Sequence, residues 1–200
     1  MFPILTPAKH AGARPAVEKA DSRRSRGRRL RARRLAVEVL EDRRMLALGP
    51  FLLKDVHQGL AASDPWDIVE VAGIVYFTAD DGIHGRELWK SDGTAEGTVM
   101  VKDILSGSQP SDLAELTAVG NTLYFRANDG VHGAELWRSD GTEAGTGMVK
   151  DIYPGLWGGT PRYLAAVGDT LYFRAHDGVH NFKLWKSDGT EAGTVLESVR

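Results

Sequence analysis

The sequence predicts an all-β fold of tandem four-stranded antiparallel units, arranged like the blades of a β-propeller. Three observations predict it. A 48-residue unit is written three times without insertion, marked by Lys54, Lys102 and Lys150, by Tyr76, Tyr124 and Tyr172, and by Trp89, Trp137 and Trp185. Each unit holds four short runs of strand-like residues. The runs are separated by glycine-rich turns, and the chain has 23 glycines in 200 residues. A fixed period of this length signals a repeat architecture, and propeller blades have this size and strand count.

The elements of one unit follow in order, taking residues 101–148. Val101-Lys102-Asp103-Ile104 alternates apolar and polar and reads as a strand that opens the unit. Ser106 to Asp112 is a loop by composition. Leu116–Val119 and Thr122–Ala127 are strands joined by Gly120-Asn121, a two-residue hairpin signal. Gly168-Asp169 repeats it in the third unit, and Ala72-Gly73 replaces it in the first. Asn128-Asp129-Gly130 opens the next turn. Glu135–Ser139 is a strand with Leu136 and Arg138 on one face and Trp137 on the other. Asp140 to Thr146 is a glycine-bounded turn leading into the next unit, Asp-Gly supplying a positive-φ position. The units run from about 53–100, 101–148 and 149–196. Tyr124, Phe125 and Trp137 are expected to pack blade against blade.

Charge divides the chain. Residues 1–50 hold 13 Lys/Arg and 5 Asp/Glu, while residues 51–200 hold 12 and 22. The run Arg23–Arg34 repels itself and is expected to be disordered. Residues 34–47 carry apolar positions at helical spacing and predict a short amphipathic helix. The acidic repeats exclude phosphate-driven nucleic-acid binding, although the basic leader alone has the composition of a nucleic-acid arm. There is no cysteine, which excludes disulfides, thiolate metal sites and thiol catalysis. No run is long and apolar enough for a transmembrane span.

Two resemblances add to this reading. Glu87–Thr94 and Glu135–Thr142 match the ELWxxDGT repeat, and Lys183–Thr190 departs from it only in its first residue. The chain therefore resembles a bacterial tandem-repeat family over residues 51–196. That resemblance implies a secreted or cell-surface protein of propeller-like architecture with no established catalytic activity. Val37–Ala47 resembles the VExLExRxLL motif that opens many exported planctomycete proteins, which implies that the leader is an export or surface-sorting signal.

Most repeated residues have a structural explanation. Trp89, Asp92 and Gly93, with Trp137, Asp140, Gly141, Trp185, Asp188 and Gly189, are read as turn and packing residues of the repeat. Asp80, Asp81, Asp129 and Asp177 lie on acidic turns that invite a calcium reading, but none fits the spaced carboxylate loop of known calcium motifs. His84, His132 and His180 lie a blade apart, which argues against one zinc site unless they line a central channel; a hydrogen bond to the Asp140-type carboxylate of the same unit is expected instead. Trp66 and Trp157 do not repeat and are placed in loops, which makes them candidates for a ligand or partner surface. No nucleophile elbow, phosphate loop or zinc-protease motif is present.

The function read from these residues is a non-catalytic exported module for adhesion or interaction. The alternatives are a lectin-like or calcium-dependent propeller and, from a third class, a propeller hydrolase. No cofactor is expected apart from that calcium reading, and the partner is a protein or glycan of unspecified identity. Recognition is expected in the non-repeating loops 57–67, 105–115 and 153–163. Three blades are fewer than a closed propeller needs. Ser198 and Val199 also stand where Lys150 and Asp151 would recur. The expectations are an open arc, closure by oligomerisation through exposed strand edges, or part of a longer gene product.

Overall fold

The computed structural model describes residues 52–197. The basic leader, its expected amphipathic helix and the position of Ser198 and Val199 lie outside the described residues. Among the described residues there is no helix, and twelve strands form three antiparallel sheets of four. Sheet one comprises β1 (Trp66–Val71), β2 (Ile74–Asp80), β3 (Arg86–Ser91) and β4 (Val99–Lys102). Sheet two comprises β5 (Ala114–Val119), β6 (Thr122–Asn128), β7 (Ala134–Ser139) and β8 (Gly147–Lys150). Sheet three comprises β9 (Arg162–Val167), β10 (Thr170–Ala175), β11 (Lys183–Ser187) and β12 (Val195–Leu196). Within each sheet the strands follow chain order.

The strand count per repeat agrees with the sequence, but the phase does not. Val101 and Lys102 do not open the second unit. They end β4, which pairs with β3 of the sheet before, Leu88 opposite Lys102. The Asp140–Thr146 turn likewise joins β7 to β8 inside one sheet and does not lead into the next unit. An alternating run shows that a strand exists, but which neighbour it pairs with is a non-local outcome. Sheets one and two therefore straddle a boundary of the repeats as read from the sequence.

The hairpin between the first two strands is tight in every sheet. Gly120 and Gly168 take φ of 56° and 57° at its first position, and Ala72 takes 53° there without being glycine. The cost of that left-handed Ala72 is of order 1–2 kcal/mol, and Gly73 beside it (φ 84°) completes the turn.

Alternation along the strands sends side chains to both neighbouring sheets. Val71, Tyr76, Leu88 and Val101 of sheet one form one buried cluster with Leu116, Leu123, Phe125, Ala127 and Trp137 of sheet two. Val119, Tyr124, Leu136 and Val149 of sheet two repeat the contact with Leu171, Phe173, Ala175 and Trp185 of sheet three. Phe125 and Trp137, opposite each other across β6 and β7, thus face backwards, while Tyr124 faces forwards. The expected inter-sheet packing of these aromatics is what the structure has. The first strands also meet: β1 lies against β5, and β5 against β9. Between β5 and β9, the Tyr163 amide donates to Glu115 Oε2 at 2.8 Å.

The linkers are anchored by buried carboxylates. Glu87 accepts from the amides of Ile104 and Leu105, both at 3.1 Å, and from Ser111 Oγ at 3.0 Å. Glu135 accepts from the amides of Tyr153 at 2.9 Å and Gly159 at 2.7 Å. Both side chains are fully buried. Burial pushes each carboxyl up to about 7 against the pull of these donors. Lys183 in the third unit faces no linker among the described residues.

Candidate functional site

The signature residues are occupied by the fold itself. In the Asp-Gly-Thr turn, Asp140 Oδ1 accepts from the Thr142 amide at 2.9 Å and from its hydroxyl at 2.7 Å. Thr142 Oγ1 then accepts from the Gly145 amide, and Ser139 and Thr146 hydroxyls meet at 2.7 Å. Asp92 and Asp188 organise the same turn in the other sheets. Hydrogen bonds to Thr94, Thr142 and Thr190 hold the three aspartates below the usual carboxylate range. Gly97, Gly145 and Gly193 are required because a Cβ at any of them would overlap the aspartate carboxylate. Trp89, Trp137 and Trp185 are buried, at 6–7% exposure.

The turn of one sheet is gripped by the sheet before it. Gly141 lies under the Tyr76 hydroxyl, and its carbonyl accepts from Lys90 Nζ at 2.8 Å. Lys102 Nζ donates to the Thr146 carbonyl at 2.9 Å. Gly189 lies likewise under Tyr124, and Lys150 donates to the Thr194 carbonyl at 2.9 Å. Gly93, with φ 91°, has open space where a side chain would stand.

The histidines have a different partner from the one expected. His84 Nδ1 lies 2.7 Å from Asp81 Oδ2, His132 Nδ1 2.7 Å from Asp129 Oδ2, and His180 Nδ1 2.9 Å from Asp177 Oδ2. The partner is the aspartate three residues earlier, not the Asp140-type residue, because the tight turn folds the ring back over its own start. The same aspartates accept amides of the turn: Asp81 from Ile83 and His84, Asp129 from Val131 and His132, Asp177 from Val179 and His180. Asp80 accepts from the Gly82 amide at 2.7 Å. These carboxylates are thus engaged by their own turns. Among the described residues, no group of three or more potential metal ligands converges.

Trp66 and Trp157 are both exposed, at 62% and 80%. Trp157 lies in the linker before β9, but Trp66 opens β1 and is not in a loop. A cavity of about 280 Å³ is lined by Trp66, Asp67, Thr78, Arg86 and Leu113. Another, of about 440 Å³, is lined by Tyr153, Trp157, Thr160, Arg162, His176 and Phe182. Trp66 and Arg86 occupy the same repeat positions as Arg162 and Phe182. An aromatic and an arginine therefore stand at the same two places in sheets one and three, with their order exchanged, and Ala114 and Ala134 stand there in sheet two.

The two cavities are built differently. Arg86 is pinned, donating to the Asp64 carbonyl at 2.6 Å and to its carboxylate at 3.2 Å. In sheet three the Arg174 guanidinium lies 3.9 Å from the Phe182 ring centre, and His176 meets Tyr153 and Phe182 edge-on, both at 4.9 Å. Backbone geometry marks the same end of the sheets. Asp67, Glu115 and Tyr163, one per sheet, take positive φ of 50°, 65° and 58° at an irregularity in the first strand. Sequence reasoning missed Arg86, Arg162 and Phe182. The available signal was that these positions change while their flanks repeat.

No family model matches the chain. No curated protein matches it. Among solved structures it is similar to the crystal structure of the computationally designed Ika8 protein, at 16% identity and a TM-score of 0.39. That alignment covers 72% of this chain and 38% of the designed chain, so the protein spans well under half of the length of that structure.

Proposed function

We propose that the protein is a non-catalytic, exported interaction module whose three sheets stand as consecutive blades of a propeller. The common side of β1, β5 and β9 lines the axis, and the partner binds at the end of the blades where the linkers cross. The observation that carries this reading is the distribution of variation. Residues that repeat are consumed by turns and packing, while those that change, Trp66, Arg86, Trp157, Arg162 and Phe182, gather at one end of the sheets. Changing side chains on a constant scaffold is the pattern of a recognition surface. Interlocked faces and adjacent first strands support the blade arrangement. The arginine-rich leader and its planctomycete-type motif support export.

A second reading, lectin-like binding, is favoured by the indole of Trp157, 80% exposed beside the larger cavity. Aromatic faces of this kind suit sugar rings. The decisive experiment immobilises the full chain and screens a glycan array alongside bacterial surface proteins, with Trp157→Ala and Phe182→Ala as controls. Binding to protein that both substitutions abolish is the expected result. Glycan binding abolished by the same substitutions favours the second reading. Binding that both variants retain removes this end of the sheets from consideration.

A further inference from the structure

We propose that two copies of this chain dock head to tail, the outward face of sheet three of each seated on the outward face of sheet one of the other, closing a ring of six sheets. The inference rests on the blade reading above and goes beyond it to a specific partner. Its template is a contact that the chain makes twice with itself.

At the two internal junctions, Val71 and Leu88, then Val119 and Leu136, are 0–7% exposed. Their counterparts on sheet three, Val167 and Leu184, are 63% and 44% exposed. On the receiving side, Leu116 and Leu123 are at 9% and 0%, while their counterparts on sheet one, Ile68 and Val75, are at 67% and 37%. Ile68, Val75 and Phe77 line an open apolar groove of about 440 Å³ together with Leu52 and Leu53. The knobs of sheet three and the groove of sheet one are the two halves of a junction already formed between sheets one and two.

The polar grips are unfilled in the same way. Tyr172 and Lys186 correspond to Tyr76 and Lys90, which hold Gly141. Lys186 instead pairs with Glu197 Oε2 at 2.6 Å, and no described group lies over Gly93, the counterpart of Gly141. The fourth strand is also divided between the ends. β12 has two residues where β4 and β8 have four. Leu53 and Lys54 occupy the repeat positions of Val101 and Lys102, and Lys54 Nζ already donates to the Thr98 carbonyl at 2.6 Å, as Lys102 does to Thr146. In the dimer Leu53 and Lys54 of the second copy continue β12. Glu197 leaves its bond to the Leu184 carbonyl, and Lys186 passes to the Gly93 carbonyl.

The junction between copies lacks one anchor of the template. Glu87 and Glu135 accept amides of the linker that follows their sheet, and Lys183 stands in their place in the third unit. Lys183 offers no acceptor to the linker of the other copy, so this contact is weaker than the two internal ones. Such a head-to-tail contact is heterologous and closes only if its rotation permits. Two copies bring six of the described sheets together, a number within the usual four to eight blades.

Light scattering on the full chain is expected to give twice the 21.8 kDa chain mass at about 100 μM. Leu184→Glu, at a site already exposed, is expected to give a monomer with unchanged circular dichroism. Lys183→Glu, which restores the acceptor found at both internal junctions, is expected to strengthen association about tenfold. A monomeric wild type, open polymers, or a dimer indifferent to Leu184→Glu overturns the proposal. Solution scattering separates the two layers: a monomer that still fits three interlocked sheets overturns the docking alone, and one that does not overturns the blade reading as well.

Discussion

Lys102 and Thr146 are joined by one hydrogen bond, Nζ to the main-chain carbonyl at 2.9 Å, across 44 residues and from one sheet to the next. Lys54 with Thr98 and Lys150 with Thr194 repeat it at the same separation. The bond ties the last strand of one unit to the turn of the following one, where the carbonyl has no strand partner. Lys102→Met keeps the aliphatic stem and removes the donor. It is expected to cost about 1–2 kcal/mol, the usual loss for a charge-assisted bond to a partly buried acceptor. Urea denaturation should show a lower midpoint at constant m-value.

Gly141 and Gly93 offer a controlled comparison. Both take positive φ, at 87° and 91°, but only Gly141 lies under a neighbouring side chain, the Tyr76 hydroxyl. Gly93→Ala is expected to cost about 1 kcal/mol of backbone strain. Gly141→Ala should cost about 2–3 kcal/mol, because overpacking adds to the strain. Tyr76→Phe, which withdraws the hydroxyl, should recover part of the difference. A double-mutant cycle by thermal melting measures the coupling.

Trp137 tests packing apart from hydrogen bonding. It is buried, and its Nε1 has no hydrogen-bond partner among the described residues. Trp137→Phe therefore loses volume but no hydrogen bond, and should cost under about 2 kcal/mol. Trp137→Ala opens a cavity between sheets one and two and should cost about 3–5 kcal/mol. Calorimetry of the two variants checks the ordering.

Stability should rise as pH falls from 8 to 5.5. Glu87 and Glu135 stand at about 7 in the folded protein, against an ordinary value of 4.5. A raised folded value means stability that is fully present below 4.5 and is lost as pH climbs through 7, by an amount of order a few kcal/mol per group. His84 and His132 are raised by their aspartate partners and act in the same direction, their contribution being lost above the ordinary 6.5. Melting temperature measured across this range should fall with rising pH. Glu87→Gln with Glu135→Gln should flatten the slope, leaving the smaller histidine part.

The strands and turns were legible in the sequence because they are local. Alternation around Leu123-Tyr124-Phe125 and the glycine at Gly120 specify a hairpin without reference to anything distant. The phase of the sheets was not legible, since Val101 pairs with a strand that precedes it and nothing in its own neighbours says so. Lys54, Lys102 and Lys150 marked the period from the outset, yet their task appears only when the next unit's turn is brought beneath them. The Trp66–Arg86 and Arg162–Phe182 pairs were hidden for the same reason. Each joins the starts of two strands that are apart in sequence and meet only once β2 or β10 lies between them. Nothing local to Glu87 and Glu135 says that their carboxylates hold a linker, and Lys183 replaces them where no described linker of the same chain follows.

The straddling of repeat boundaries by the sheets has a dynamic consequence. The middle sheet is clamped by Lys90 and Lys102 from one side and reaches forward with Tyr124, Arg138 and Lys150 on the other, whereas among the described residues sheet one has only the Lys54 bond on its preceding side and sheet three has no such support on its following side. In such a linear array local opening follows the number of neighbours. Amide exchange should accordingly be slowest in β6 and β7 and quicken towards both ends, so that Phe125, at the centre of the chain's longest-lived segment, is the last residue to meet solvent.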